Sequence, residues 1–142
     1  MHDRAPTIRD HLLTILACLG SSLVVGMAYT VVAPPLVPYA TLPLNGGLFA
    51  LIAFASTVIL GIGIGYRRPG AIIASAIAVS FLSSAIYALM LALPAFTPNT
   101  PNVTGLVNYA LTQASVTFFI VFFIALPGAI VGLLTSYFWN DR

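Results

Sequence analysis

The hydrophobic positions of this chain fall into four long runs, at residues 12–33, 47–66, 71–93 and about 110–138. A helix rises about 1.5 Å per residue, so about 20 residues cross a hydrocarbon layer of about 30 Å. Each of the first three runs therefore predicts one transmembrane helix. The fourth run is longer and contains Pro127, which favours a tilted or kinked helix, because two crossings would need about 40 residues.

The polar positions between these runs predict three connections. Residues 34–46 and 94–109 are rich in proline and carry no charge, whereas residues 67–70, Arg-Arg-Pro-Gly, form a tight turn that predicts antiparallel neighbours for helices two and three. Ahead of the first run, Thr7 and Asp10 have the spacing of a capping box, although Asp10 replaces the usual Glu or Gln. A frayed polar tail is the alternative interpretation of that segment.

The charged side chains predict the orientation. They all lie outside the apolar runs, at Asp3, Arg4, Arg9, Asp10, Arg67, Arg68, Asp141 and Arg142. With four crossings, every arginine falls on the side of the membrane that holds both termini, and arginine near short loops marks the cytoplasmic face. The sequence predicts a multi-pass protein of the cell membrane with both termini cytoplasmic. Arg67 and Arg68 are interpreted as topology determinants, with contact to lipid headgroups as the alternative.

Composition supports a membrane protein and excludes other classes. Of 142 residues, 60% are hydrophobic and only 6% charged, whereas about 25% charge is usual in a soluble domain. We therefore expect an all-α integral membrane protein, residues 1–142 forming one four-helix bundle. The basic isoelectric point rests on five arginines without a basic stripe, so nucleic acid is not an expected partner.

Small residues recur at four-residue spacing in each predicted helix, which places them on one side of it. In a membrane, helices associate by close backbone contact through such residues. The alternative is that helices rich in small residues contain such stripes by composition alone. The packing hypothesis names Ser22, Gly26, Gly61, Gly65, Ser80, Ser84, Ala88, Gly128 and Gly132.

A short internal similarity accompanies these stripes. Ser21 and Ser22 precede Pro34 much as Ser83 and Ser84 precede Pro94, and Gly61 to Tyr66 resembles Gly132 to Tyr137. A duplicated hairpin of helices would produce this pattern. The two halves match at different offsets, so coincidence is the alternative interpretation.

The residue types needed for most membrane chemistry are absent from the apolar runs. His2 and His11 are the only histidines and Cys18 is the only cysteine, which argues against paired-histidine haem ligation and dithiol redox chemistry. The sequence contains no phosphate-binding loop or metal-ligand cluster, so we expect neither a cofactor nor enzymatic activity.

Three polar residues are the remaining candidates for a site. Tyr87 and Gln113 could line a pore or polar pocket, or hydrogen-bond between helices. Asn102 begins an Asn-Val-Thr sequence that is an N-glycosylation acceptor motif in a predicted outer loop.

The sequence therefore predicts a non-catalytic function. We expect an accessory or structural subunit of a larger membrane complex, or a self-associating scaffold. Its partners would be membrane lipids and other membrane protein subunits or further copies of itself. The alternative function is an oligomeric channel or passive transporter component for a small solute, because a pore lined by hydroxyl groups needs no charge.

Overall fold

The computed structural model describes residues 5, 7–32, 42–65, 68–93 and 102–141. Within these ranges the chain forms four helices and no strand: α1 (Ile8–Val32), α2 (Leu42–Gly65), α3 (Ala71–Ala92) and α4 (Val103–Asn140). Each contains a segment long and apolar enough to cross a membrane, the segment in α2 being Gly47–Gly65. The all-helical fold and the number of apolar helices predicted from the sequence are confirmed for this part of the chain.

Polar caps set where two of the helices begin. The backbone N–H and hydroxyl of Thr7 donate to Oδ2 of Asp10 at 3.1 and 2.8 Å, so the predicted capping box is formed. The side chain of Asn102 accepts a hydrogen bond from the Gly105 N–H at 2.9 Å. α1 and α4 consequently begin at Ile8 and Val103 rather than at residues 12 and 110. Apolar runs alone do not reveal these starts, because polar residues occur in the first turns, Arg9 to His11 in α1 and Thr104 in α4.

Some predicted connections lie outside the described residues. These are residues 34–41 of the first predicted outer loop, 94–101 of the second, and 66–67 at the predicted inner turn. The first outer loop, predicted over 34–46, is helical from Leu42 onward. The second outer loop, predicted over 94–109, is helical from Val103 onward.

α4 is one continuous helix of 38 residues that runs through Pro127. At 1.5 Å per residue it is about 57 Å long, which exceeds the roughly 40–45 Å of a bilayer with its headgroup regions. An α4 that crosses a membrane must therefore tilt or project beyond it. Pro127 is exposed, so its ring lies on the outer side of the bundle.

The helices are arranged around the bundle in the order α1, α2, α4, α3. α2 and α3 each pack on α1 and α4, whereas α2 and α3 touch each other least among the packed pairs. The short turn was expected to make α2 and α3 packed neighbours, and the structure differs in this respect. The physical reason is that α2 presents Gly61 and Gly65 to α4, which lets the two backbones approach closely.

Specific contacts give the relative directions of the helices. α1 and α2 are antiparallel, since Ser21 meets Ser56 and Tyr29, further along α1, meets Phe49, earlier in α2. α1 and α3 are parallel: the carbonyl of Ser22 accepts from Ser83, and Gly26 faces Ile86. α2 and α4 are also parallel, with Thr57 at Gly128 and Gly61 at Gly132.

Small and branched residues fill the bundle, while large apolar side chains cover its outside. One buried cluster consists of Val25, Phe49, Ala53, Ala76, Val121 and Ala125, and a second consists of Cys18, Leu60, Ile64 and Val79. On α4, Val121 is 0% exposed whereas Phe123 is 73% exposed. This distribution suits a surrounding hydrocarbon solvent, in which large apolar side chains at the surface carry no penalty.

Candidate functional site: a polar cleft between α1 and α2

A cleft of about 240 Å³ opens between the start of α1 and the end of α2. Asp10 and Arg68 stand at one end of it, Ala17 and Gly63 at the other, and Leu13 and Thr14 lie between them. Its lining residues are Asp10, Leu13, Thr14, Ala17, Gly63, Ile64 and Arg68.

Gly63 creates the space on the α2 side. A Cβ at Gly63 would meet nothing within 4 Å, whereas a Cβ at Gly61 or Gly65 would meet α4 closely. Residues two apart in a helix point to nearly opposite sides, so the alternating glycines at the end of α2 serve different surfaces. Gly61 and Gly65 let α4 approach, and Gly63 leaves room in the cleft.

Arg68 is held at the mouth of the cleft by His11. Nη1 of Arg68 lies 2.8 Å from Nδ1 of His11. Because a guanidinium group only donates hydrogen bonds, Nδ1 of His11 is the acceptor in this contact. The backbone N–H of Arg68 also donates to the carbonyl of Ile64 at 2.9 Å, so the residue continues the last turn of α2. Arg68, which is half-buried, is therefore hydrogen-bonded to both α1 and α2.

Asp10 and Thr14 are the polar lining residues on the α1 side of the cleft. The carboxylate of Asp10 takes part in the capping box with Thr7, and the Thr14 hydroxyl donates to the Asp10 carbonyl at 2.8 Å. Leu13, one of the residues along the apolar part, is exposed toward the surroundings of the bundle. The arrangement combines a cation, an anion and an apolar wall. This is suited to binding an amphipathic molecule.

The predicted packing glycines lie at close helix contacts. A Cβ at Gly61 would meet the backbone carbonyl of Ala129, and one at Gly132 would meet the carbonyl of Val58. At Gly128 it would meet the hydroxyl of Thr57.

Two further predicted glycines also face neighbouring helices. A Cβ at Gly65 would lie 2.9 Å from Cα of Leu133. At Gly26 it would lie 3.1 Å from Cβ of Ile86 and 3.3 Å from the carbonyl oxygen of Ser83. Gly65 thus belongs to the α2–α4 contact and Gly26 to the α1–α3 contact.

The predicted packing serines bond within their own helices. Ser22, Ser80 and Ser84 are buried, and their hydroxyls donate to the carbonyls of Cys18, Ala76 and Phe81 at 2.5, 2.7 and 2.8 Å. Ala88, the remaining member of the predicted set, is half-buried. These serines act as small residues whose hydroxyl groups need no partner on another helix.

The hydroxyls that do join helices were not singled out by the packing hypothesis. Oγ of Ser21 lies 2.8 Å from Oγ of Ser56, and the Ser83 hydroxyl donates to the Ser22 carbonyl at 3.3 Å. In the sequence, these serines are recognisable only as polar residues within apolar runs. That pattern does not predict which residue of a neighbouring helix each serine contacts.

Tyr87 is buried in an aromatic cluster. Its ring centroid lies 4.7 Å from that of Tyr29, which lies 5.0 Å from that of Phe49, and both pairs meet edge to face. Gln113 is half-buried on α4, where its backbone carbonyl accepts from the Thr117 hydroxyl at 2.7 Å. Tyr29 is thus a central residue that the sequence analysis did not select.

The remaining predicted site residues are Asn102 and Arg67, and only Asn102 lies within the described residues. Asn102 lies at the N-cap of α4 and is exposed, with its side-chain oxygen engaged by Gly105. Its use as a glycosylation site stays a prediction. Arg67 lies outside the described residues.

Within the described ranges, no group of three or more histidine, cysteine, aspartate or glutamate residues could hold a metal ion. No protein family model, curated protein or solved structure matches this chain. The function is therefore inferred from its own residues.

Proposed function

We propose that this protein is a non-catalytic integral membrane protein, and that it serves as an accessory or structural subunit of a larger membrane complex or as a self-associating scaffold. It would cross the cell membrane four times, with both termini cytoplasmic. Lipids and other membrane proteins, or further copies of itself, would be its partners.

The observation that carries this proposal is how the polar groups inside the bundle are bonded. Among the described residues, every buried side-chain nitrogen or oxygen has a hydrogen-bond partner. Several of these partners are carbonyls of the same helix, as at Thr57 and Ser80. Such groups are already satisfied and are poor donors, acceptors or nucleophiles for a substrate. The large apolar surface outside is then the part of the molecule through which it acts.

The proposed orientation is supported by the helix directions. The Arg68–His11 contact joins the end of α2 to the start of α1, and parallel packing brings the end of α4 to the same side. Arg9 and Arg68 therefore share one end of the bundle, and the rule of arginine enrichment assigns that end to the cytoplasm.

Single cysteines test this orientation in a Cys18→Ser background. In intact cells, a membrane-impermeant maleimide should label Asn102→Cys and leave Pro69→Cys unlabelled. Permeabilised cells should label both. Labelling of Pro69→Cys alone in intact cells would reverse the proposed orientation.

Gentle purification of the native protein, followed by mass spectrometry and a solution mass, tests the function. A foreign protein at fixed stoichiometry would support the accessory subunit, and a homo-oligomer would support the scaffold. A particle that contains one copy and no partner contradicts both.

The alternative function as an oligomeric channel gains less support. The centre of the bundle is filled by residues such as Val25, Ala53 and Val121, each 0% exposed, so a solute path would have to run between copies. Flux of a small solute into proteoliposomes, lost with Gln113→Leu, would favour the channel over the scaffold.

A further inference from the structure

We propose that the cleft between α1 and α2 binds one zwitterionic phospholipid whose headgroup carries a primary ammonium group, as in phosphatidylethanolamine. Its phosphate would contact Arg68, and one acyl chain would lie along Leu13, Ala17 and Ile64. This inference rests on the proposed membrane location. It goes beyond the proposed function because it assigns a specific ligand to a specific site.

The depth of the cleft fits this orientation of a lipid. From Asp10 to Ala17 the wall formed by α1 rises about 10 Å at 1.5 Å per residue. The polar end lies beside Arg68, at the end of the apolar segment of α2, where headgroups of the adjacent leaflet would stand. The opposite end is lined by Ala17, Gly63 and Ile64, and Leu13 lies between the two ends; this apolar wall suits an acyl chain.

The charges at the polar end distinguish between headgroups. Arg68 uses Nη1 toward His11, and a guanidinium group has five N–H donors, so donors remain for a phosphate. The carboxylate of Asp10, whose Oδ2 also accepts hydrogen bonds from Thr7, lies at the same end of the cleft. A carboxylate there opposes a headgroup with a net negative charge and attracts an ammonium group. The pair of charges thus matches a headgroup that carries both phosphate and ammonium.

Gly63 provides a direct steric test. A side chain at this position would enter the cleft without meeting another atom within 4 Å of its Cβ. Gly47 offers a matched control, because it is also an exposed glycine of α2 with nothing within 4 Å and lies near the other end of that helix, away from the cleft. Gly63→Leu and Gly47→Leu therefore make the same chemical change in the same helix, and only the first fills the cleft.

The experiment is native mass spectrometry of the full-length protein in mild detergent with equimolar phosphatidylethanolamine and phosphatidylglycerol. We expect one bound phosphatidylethanolamine per chain. Gly63→Leu should abolish the adduct and Gly47→Leu should retain it. Arg68→Gln should lower occupancy about fivefold, the effect of one arginine contact with a headgroup. Asp10→Asn should keep occupancy and shift preference toward phosphatidylglycerol.

A second measurement needs no variant. A photoactivatable phosphatidylethanolamine in vesicles should label the unaltered protein within residues 13–17 or 63–64. Binding of both lipids alike, retention of the adduct in Gly63→Leu, or labelling only elsewhere would overturn the proposal. Carbonate extraction of the same membranes reports the membrane location separately. A protein that resists extraction yet binds no lipid refutes this inference alone, whereas an extracted protein refutes the proposed function.

Discussion

Gly61 of α2 and Gly132 of α4 face each other where the two helices cross. A Cβ on Gly61 would lie 3.0 Å from Cα of Gly132, and one on Gly132 would lie 2.8 Å from Cα of Gly61. Gly61 also faces the backbone carbonyl of Ala129, three residues before Gly132. Gly132 in turn faces the carbonyl of Val58, three residues before Gly61. The contact is therefore reciprocal, as expected where two similar helix surfaces meet around a local two-fold axis.

This crossing predicts that even one methyl group is harmful there. Gly132→Ala should lower the free energy of unfolding by about 1–3 kcal/mol, because backbone atoms would have to move apart. The larger Gly61→Leu should cost more. Thermal unfolding in detergent measures both effects.

The control for this prediction is Gly20→Ala. Its Cβ enters open space, so the free energy of unfolding should stay unchanged or rise by up to about 1 kcal/mol from reduced chain entropy. If Gly132→Ala and Gly20→Ala behave alike, the glycine stripes reflect composition only.

The same crossing gives a structural reason for part of the internal similarity in the sequence. Gly61 and Gly132 occupy equivalent places in two parallel helices that pack on each other, so close approach requires glycine at both. Duplication of a hairpin stays a hypothesis, because the reciprocal contact would favour this similarity in either case.

A hydrogen bond between Ser21 and Ser56 predicts a measurable coupling of α1 and α2. The two hydroxyls are 2.8 Å apart. Cross-helix bonds of this kind contribute about 0.6 kcal/mol on average in membrane proteins. A double-mutant cycle with Ser21→Ala and Ser56→Ala should return a coupling of about that size. The same cycle with Ser80→Ala in place of Ser56→Ala should return none, since Ser80 bonds within its own helix.

The sequence predicts the number of helices better than it predicts the contacts between them. Helix number followed from the length of apolar runs, because the 30 Å hydrocarbon layer sets a minimum length. Which helices touch did not follow, since the four-residue spacing selects Gly61 and Gly65 for packing but does not indicate that they face α4. The cleft also depends on His11 meeting Arg68. That contact joins residues far apart in the chain, and neither residue type alone indicates it.

The aromatic cluster predicts that Tyr29 stabilises the bundle through its ring. It meets both Tyr87 and Phe49 edge to face, and such pairs contribute about 0.5–1.5 kcal/mol each beyond burial. Tyr29→Leu should therefore lower the free energy of unfolding by at least about 1 kcal/mol relative to Tyr29→Phe, which keeps the ring. Equal stability of the two variants would show that the buried apolar area of the side chain, and not the contact between rings, matters at this position.

The N-cap at Asn102 predicts a local effect at the start of α4. Asn102→Ala removes the acceptor for the Gly105 N–H, and loss of such a cap costs about 1 kcal/mol. Hydrogen exchange over residues 103–108 should accelerate in Asn102→Ala and remain slow in Asn102→Asp, whose carboxylate can still accept. Unchanged exchange in Asn102→Ala would mean that the helix start does not depend on the cap.

The cap also separates the structural role of Asn102 from its predicted glycosylation. Thr104→Val removes the acceptor motif while leaving the Asn102 side chain in place. In a host that glycosylates, we expect the mass increment of the glycan to disappear in Thr104→Val while exchange over residues 103–108 stays slow. Asn102→Asp should give the same two results, because it also retains the cap and lacks the glycan acceptor. A glycan that persists in Thr104→Val would have to lie on another residue, which would exclude Asn102 as its site.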